Sequence, residues 1–277
     1  MGFYSPLRYP GGKSVLSKWF EEIINKNFLN SYTYVEPYAG GVGVGLYLLS
    51  KGVVNKIIIN DYDFRVYSFW FSIINNYEKF IKQIEKTPIN IKIWEKQKNI
   101  IKNPENFSLF EVGFAFFYLN RTNVSGIIKG GPIGGKEQKG KYKIDVRFNK
   151  QKLIEKIKHI ASLKNKIEIL NIDALELLKN VEKNWFIYLD PPYFGKGNQL
   201  YMNFYKTFDH ENIAKEVKKL SNPWILTYDN EDYIKNLYNW CKGYEYSLRY
   251  YAAKKHIATE LIFYDNLDYF TIPSIRK

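Results

Sequence analysis

Apolar positions along the chain follow two periods. Short runs at 33–36, 56–60, 167–172, 185–189, 224–228, 244–251 and 260–264, bounded by polar or turn residues, predict seven strands. The run Trp185-Phe-Ile-Tyr-Leu189 is apolar throughout, as a strand covered on both faces requires. Between most of these runs the apolar spacing changes to three and four. Leu153, Ile157 and Ile160 mark a helix over 152–163, and Ile213, Val217 and Leu220 mark another. For the second, Asp209 is the expected N-cap and Phe208 the expected staple onto Ile213. Strands alternating with helices predict an α/β sheet. The last two strands are joined by 252–259, too short for a helical crossover, so they are expected to pair antiparallel.

The second and third strands are separated by more than a hundred residues, far beyond an ordinary βα connection. This insert contains a helical stretch over 108–120, opened by the capping box Ser108…Glu111. It then breaks into 122–147, where Gly126, Gly130, Gly131, Gly134, Gly135 and Gly140 are interleaved with Lys129, Lys136, Lys139, Lys141 and Lys143. A second, mostly helical module with a glycine-rich basic loop or hairpin is expected.

Composition narrows the class. A single cysteine, Cys241, excludes an intrachain disulfide and fits a reducing cytoplasm. With only His159, His210 and His256 beside it, no ordinary zinc site can be assembled, and no metal is expected. No apolar stretch approaches the roughly 20 residues of a membrane span, and the first residues carry no signal-peptide pattern. A net charge of +13 points to a polyanionic partner, although lysine richness also accompanies AT-rich coding. Residues 121–147 concentrate it, with seven basic and two acidic residues. A solvated charged loop is the alternative.

The strongest chemical signal is Asp190-Pro-Pro-Tyr193, directly after the run 185–189. Two prolines supply no ladder donors and stop the strand, leaving a carboxylate, two rigid carbonyls and a ring at its carboxyl end, the edge where open α/β sheets bind ligands. Asp190 and the Pro191 carbonyl suit an exocyclic amine, and Tyr193 suits the face of its ring. Alone, the string also reads as a strand-ending turn. Glu36, Pro37, Gly40, Gly41, Gly43 and Gly45 follow the first strand and open a helix. This turn lacks a lysine for phosphates, so it suits a nucleoside with a charged amino-acid tail, whose ammonium Glu36 would face. Asp61, ending the second strand, is placed for ribose hydroxyls, with Asp63 a nearby competitor. Asp173, ending the third, either accepts from a cofactor amine or caps the helix at Ala174. Gly11-Gly-Lys-Ser14 is no P-loop, because Leu7 stands where glycine is required and no strand precedes it. Lys13 instead presents a cation to a carboxylate, and Tyr9 an aromatic wall; a turn with a surface lysine is the plainer reading.

In this order the motifs resemble the Dam-type (D12 class) DNA adenine-N6 methyltransferases. Leu7-Arg-Tyr-Pro-Gly-Gly-Lys13 is similar to that family's N-terminal cofactor motif, 35–45 to its glycine-rich motif and Asn60-Asp61 to its acidic strand end. Phe117-Tyr-Leu-Asn-Arg121 is similar to the start of its target-recognition segment, and Asp190-Pro191-Pro192-Tyr193 to its catalytic motif. Gly197-Asn-Gln-Leu-Tyr201 and 224–230 resemble further segments. The resemblance implies a Rossmann-like seven-stranded sheet with an inserted recognition domain: a catalytic domain of 1–66 and 150–277 and an insert of 67–149. It implies S-adenosylmethionine as cofactor, held by Tyr9, Lys13, Asp61 and Asp190, and methyl transfer to N6 of an adenine flipped out of duplex DNA. It places Arg121, Asn123, Ser125, Lys129, Lys139, Lys141, Lys143 and Arg147 on the DNA, and makes a cognate restriction endonuclease a candidate partner. Members that read GATC carry an aromatic residue followed by Asn where this chain has Val124-Ser125, so the resemblance does not extend to GATC as the recognition sequence. Cytosine-N4 enzymes usually have Ser in place of Asp190, and RNA guanine-N2 enzymes usually lack the long insert. Cytosine-C5 chemistry needs a Pro-Cys nucleophile that Cys241 does not provide. A catalytically silent DNA-binding module is the alternative from another class.

Overall fold

Seven strands form one sheet in the order β3-β2-β1-β4-β5-β7-β6. They are β1 (Thr33–Glu36), β2 (Ile57–Asn60), β3 (Ile167–Leu170), β4 (Trp185–Leu189), β5 (Trp224–Asp229), β6 (Lys242–Tyr251) and β7 (Lys255–Asp265). The first five are parallel, and β7 pairs antiparallel with both β5 and β6. The structure, a computed structural model, describes residues 4–8, 12–195, 205–251 and 255–274. Two units make up the chain, one of residues 1–12 and 63–165, the other of residues 13–62 and 166–277.

The sheet belongs to the second unit. Alternate residues of β1 and β4 go to opposite faces, and both faces are covered. Tyr34, Phe186 and Tyr188 pack edge-on or tilted around Phe20 of helix α1 (Ser17–Lys26). Val35, Ile187 and Leu189 join Leu226, Ile213 and Val217 in the core on the other face. Burying each such side chain contributes roughly 1.5–3 kcal/mol, so the unbroken apolar run of β4 needs no further explanation. Asn60 ties three carboxyl ends together. Its amide donates to the Pro37 and Ile172 carbonyls at 3.0 Å each, and its oxygen accepts from Ile172 N at 3.1 Å.

Two local expectations are corrected. The helix predicted from Asp209 runs over Thr207–Val217, with Lys206 at its N-cap. Asp209 is its third residue and accepts from Lys206 N at 2.8 Å. Phe208 is 65% exposed and staples nothing.

The first unit is helical: α3 (Phe64–Asn75), α4 (Tyr77–Lys86), α5 (Ile91–Lys102), α6 (Leu109–Thr122) and α7 (Lys150–Ser162), with α2 (Gly43–Ser50) lying in the other unit. The capping box at Ser108 and Glu111 is formed. Helix α6 is buried along most of its length, and Phe117 stacks on Phe69 of α3 with rings 5.7 Å apart and 4° from parallel. The close crossing depends on Gly113, where a Cβ would meet the Ser68 carbonyl oxygen at 2.3 Å and its carbon at 2.6 Å. Backbone cannot rotate aside as a side chain can. Gly113→Ala is expected to destabilise this unit by about 2–3 kcal/mol; an unchanged urea midpoint would show that the helices can part at no cost.

After α6 the chain makes a short 3-10 helix, Val124–Gly126, and then runs through turns to residue 147. The one strand-like pairing described there is the bridge Asn123↔Pro132, so the segment is a looped turn where a hairpin was the alternative.

Candidate functional site

All five parallel strands end at the same sheet edge, and each delivers a carboxylate there or within three residues: Glu36, Asp61, Asp173, Asp190 and Asp229. The strand order reverses between β1 and β4, the switch point at which such sheets leave a crevice. Glu36 and Asp190 therefore flank it.

Asp190 is the centre of a hydrogen-bonded cluster. Lys13 Nζ lies 2.9 Å from its Oδ1 and 3.1 Å from its Oδ2, and donates to the Tyr193 hydroxyl at 2.7 Å. Thr227 of β5 donates to Asp190 Oδ1 at 2.8 Å. With that proton committed, the Tyr188 hydroxyl, 2.9 Å from Thr227 Oγ1, must donate in turn. Tyr193 passes its own proton to Glu260 Oε1 at 2.6 Å, and Tyr246 donates to Glu260 Oε2 at 2.6 Å. Burial pushes the Asp190 carboxyl above its ordinary range; Lys13 opposes the rise and the Glu260 charge adds to it. Tyr193 is buried, its ring 5.1 Å from Lys13 Nζ. The backbone just after it is clamped by Asp229, which accepts from Phe194 N at 3.0 Å and Gly195 N at 2.8 Å.

The glycine-rich turn serves the protein's own atoms. Gly40 N donates to Asp61 Oδ2, and Gly45 N to Glu36 Oε1, both at 2.9 Å. A Cβ on Gly43 would lie 2.0 Å from Ser14 Oγ, and one on Gly45 3.0 Å from Glu36 Oε1. Gly43 thus makes room for Ser14, and Gly45 for Glu36. Pro37 lends its carbonyl to Asn60, and Gly41 lies in the same turn. Asp173 is exposed and caps the following helix, accepting from Leu175 N at 2.7 Å. Tyr9 and 197–201 lie outside the described residues.

Burial pushes the Glu36 carboxyl up from 4.5 to about 8, with Asp190 adding to the rise and the Gly45 amide opposing it. A folded value above the ordinary one means that folding favours the protonated acid. The stability it contributes is full below the ordinary value and is lost as pH rises toward 8. Glu36→Gln keeps the acceptor for Gly45 and removes the proton. Near pH 5 the variant is expected to match the parent, and near pH 9 to exceed it by on the order of a few kcal/mol. Denaturant titrations at both pH values check this; an identical pH slope in parent and variant would show that Glu36 titrates normally.

Sequence reasoning missed Thr227, Tyr188, Tyr246, Glu260 and Asp229. The one available signal was polarity inside apolar strands: Thr227 within β5 and Glu260 within β7. Cys241 has its thiol pushed up to about 12, chiefly by burial, which disqualifies it as a nucleophile. Among the described residues no group of three or more His, Cys, Asp or Glu side chains could hold a metal ion. Likewise no described helix is long and apolar enough to cross a membrane.

In the first unit the expected DNA-contacting residues separate into two kinds. Asn123 is fully buried: its oxygen accepts from Trp94 Nε1 at 2.7 Å, and its amide reaches the Ile127, Ile128 and Gly130 carbonyls at 2.8, 3.2 and 3.2 Å. It organises the turn from inside, which corrects its expected place on the DNA surface. Ser125 supports the same turn with a left-handed backbone (φ 56°). Lys129, Lys139, Lys141 and Lys143 are exposed. Of these, Lys139 pairs with Glu137 at 2.6 Å, and Lys143 donates to the Gln138 carbonyl. Arg121 is half-buried. It donates to the backbone carbonyls of Arg147 and Pro6, and burial together with Arg8 and Arg147 pushes it down to about 10. Arg8 is depressed by burial and by Arg147, Lys156 by burial and by Arg121. Among the described residues none of these four cations has an ion-pair partner.

Comparison with known proteins places this geometry. The sequence matches the family described as D12 class N6 adenine-specific DNA methyltransferase over residues 9–257. It is 25% identical over 232 residues to the Type II methyltransferase M.MjaIII of Methanocaldococcus jannaschii, covering 77% of this chain and 79% of that protein. It is 25% identical over 254 residues to the Type II methyltransferase M.CviBI of Paramecium bursaria Chlorella virus NC1A, covering 88% and 90%. Among solved structures, PH1948 of Pyrococcus horikoshii aligns over 93% of this chain and 85% of its own, at 11% identity and a TM-score of 0.42.

Proposed function

The chain belongs to the D12 class N6 adenine-specific DNA methyltransferase family, and we propose that it methylates N6 of an adenine flipped from a specific duplex site, using S-adenosylmethionine. That it is an adenine-specific DNA methyltransferase follows from the family. The observation that carries the proposal is the carboxyl edge of the sheet, where Glu36, Asp61, Asp173, Asp190 and Asp229 stand at or just after the ends of the five parallel strands, with Lys13 seated on Asp190. Such an edge suits a cofactor with cationic groups. S-adenosylmethionine is cationic at its sulfonium and its amino group, and it supplies an electrophilic methyl. Glu36 would meet the ammonium, and Asp61 the ribose hydroxyls, with Lys13 holding Asp190 in place.

A stacked adenine cannot reach a strand-edge crevice, so the target base must be flipped out. Asp190 and the Pro191 carbonyl then accept from the N6 hydrogens, which fixes the nitrogen's direction of attack. Tyr193, its hydroxyl held by Lys13 and Glu260, is a rigid wall for the ring. Positioning supplies most of the acceleration, because no covalent intermediate on the protein is required. Asp190 can take the proton after transfer, and its raised affinity for protons helps it to do so.

Residues 63–165, which contain the basic segment, are assigned to target recognition. The two relatives are named as type II methyltransferases, which favours a partner endonuclease of the same specificity, with the chain working in the cytoplasm beside host DNA. Incubating the enzyme with tritiated S-adenosylmethionine and either duplex DNA or RNA tests the reading. Label on adenine N6 in DNA is expected. Label confined to RNA, or on cytosine, would overturn it, as would tight DNA binding with no label at all. Sequencing methylated adenines from an expressing host then gives the site.

A further inference from the structure

Asp190 is not the only acid within reach of Lys13. The ammonium lies 2.9 Å from Asp190 Oδ1 and 3.5 Å from Oε2 of Glu260 on β7. The three side chains differ in exposure: 20% for Asp190, 2% for Lys13 and 3% for Glu260. Asp190 stands in front, open to an arriving group, with Lys13 and Glu260 behind it. Sheet register fixes Glu260 there, opposite Asp229 of β5 and Tyr246 of β6. Hydroxyls of Tyr193 and Tyr246, each at 2.6 Å, hold its two oxygens.

This arrangement poses a problem for catalysis. Lys13 lies against both oxygens of Asp190, where its charge competes with the amine that Asp190 must receive. Yet a buried ammonium cannot be left without a partner. We propose that Glu260 is a positioning residue for methyl transfer: it is the second seat of the Lys13 ammonium, occupied when the target amine takes Asp190. The proposal rests on Asp190 receiving that amine. The move is short, and the Tyr193 hydroxyl bridges both seats, 2.7 Å from Lys13 Nζ and 2.6 Å from Glu260 Oε1. Lys13 can keep that contact throughout. No bond to hydrogen is broken, and the buried ammonium keeps a carboxylate partner at both ends of the motion.

The test is single-turnover methyl transfer to duplex DNA by the whole enzyme. Glu260→Gln keeps the shape and removes the charge; it is expected to lower the rate at least ~10-fold, with KM for DNA within about threefold and the melting temperature near the parent's. Glu260→Asp keeps the charge and is expected to recover most of the rate. A parent-like rate in the Gln variant overturns the proposal. So does an equal loss in both variants, because Glu260 would then supply packing and not charge. Asp190→Ala runs alongside: activity there would overturn the underlying reading, whereas an inactive Asp190→Ala with a parent-like Glu260→Gln removes only the second seat. Where the Gln variant does not fold, the parent decides, crystallised with duplex DNA and S-adenosylhomocysteine. Lys13 Nζ should then lie within ~3.2 Å of Glu260 and beyond hydrogen-bond reach of Asp190. Lys13 still bridging both Asp190 oxygens would overturn the proposal.

Discussion

Asp190→Ala is expected to reduce methyl transfer by a factor of at least ~10³, about 4 kcal/mol of transition-state stabilisation, while DNA binding survives. The size follows from how much converges on this carboxylate. It would orient the nucleophilic nitrogen, accept the departing proton and mark the open face of the Lys13–Glu260 cluster. Its removal also strands less than it seems to. Lys13 retains Glu260 at 3.5 Å and the Tyr193 hydroxyl at 2.7 Å, so the buried ammonium is not orphaned and the sheet should still form. Thr227 loses an acceptor, which makes a modest fall in melting temperature the expected side effect. DNA affinity should hold, because the basic residues assigned to the duplex lie in the helical unit. Turnover within tenfold of the parent would remove Asp190 from the chemistry. Lost DNA binding at normal folding would instead make it part of the recognition surface.

The strand ends were legible because a parallel sheet leaves little freedom. Every parallel strand finishes on one edge, so an acid after an apolar run has a predictable address. Asp229 escaped because the apolar pattern of β5 stops at Tyr228, one residue before the strand does. The cluster behind Asp190 was not legible. Thr227 in a strand is read as β-propensity, and Glu260 meets Lys13 and Tyr193 through the antiparallel register of β7, which alternation along one strand does not set. The glycine turn opens a helix after β1, as the pattern implies, whereas the side chains that lie against it, Ser14 near Gly43 and Glu36 near Gly45, have no signal in the sequence. At Asp209 the error was of phase. An acid three residues into a helix reaches back to the capping position, and from sequence this looks like the cap itself. Asn123 misled in the opposite way, since a polar residue in a basic loop reads as surface unless its buried partners, Trp94 among them, are known.

That distinction reorders the basic residues, and with them the second large effect. Exposed lysines 139, 141 and 143 stand out in the sequence, but they keep their water and in part have local partners. Arg8, Arg121 and Lys156 have given up part of their water and lie within reach of one another's charge and that of the exposed Arg147, with the guanidinium of Arg121 pushed down to about 10 by burial and by Arg8 and Arg147. Like charges held half-buried without a carboxylate oppose folding, and a phosphate would relieve that repulsion where it is strongest. Replacing Arg121, Arg147 and Lys156 together by Gln is therefore expected to make the salt dependence of DNA binding shallower by about one unit of log–log slope per residue, and to weaken affinity at roughly 0.15 M salt by two or more orders of magnitude. The same three changes at Lys139, Lys141 and Lys143 should shift the slope less, because Lys139 and Lys143 already have local partners and would neutralise fewer phosphates. Arg147→Gln alone offers a check of opposite sign. No side-chain hydrogen bond from Arg147 is described, so its removal should leave the DNA-free protein as stable as the parent or more so, by up to about 1 kcal/mol. A larger slope change from Lys139, Lys141 and Lys143 than from the cluster around Arg121 would reverse the order. Loss of stability in Arg147→Gln would show that the cluster is held together by something other than the anion it awaits.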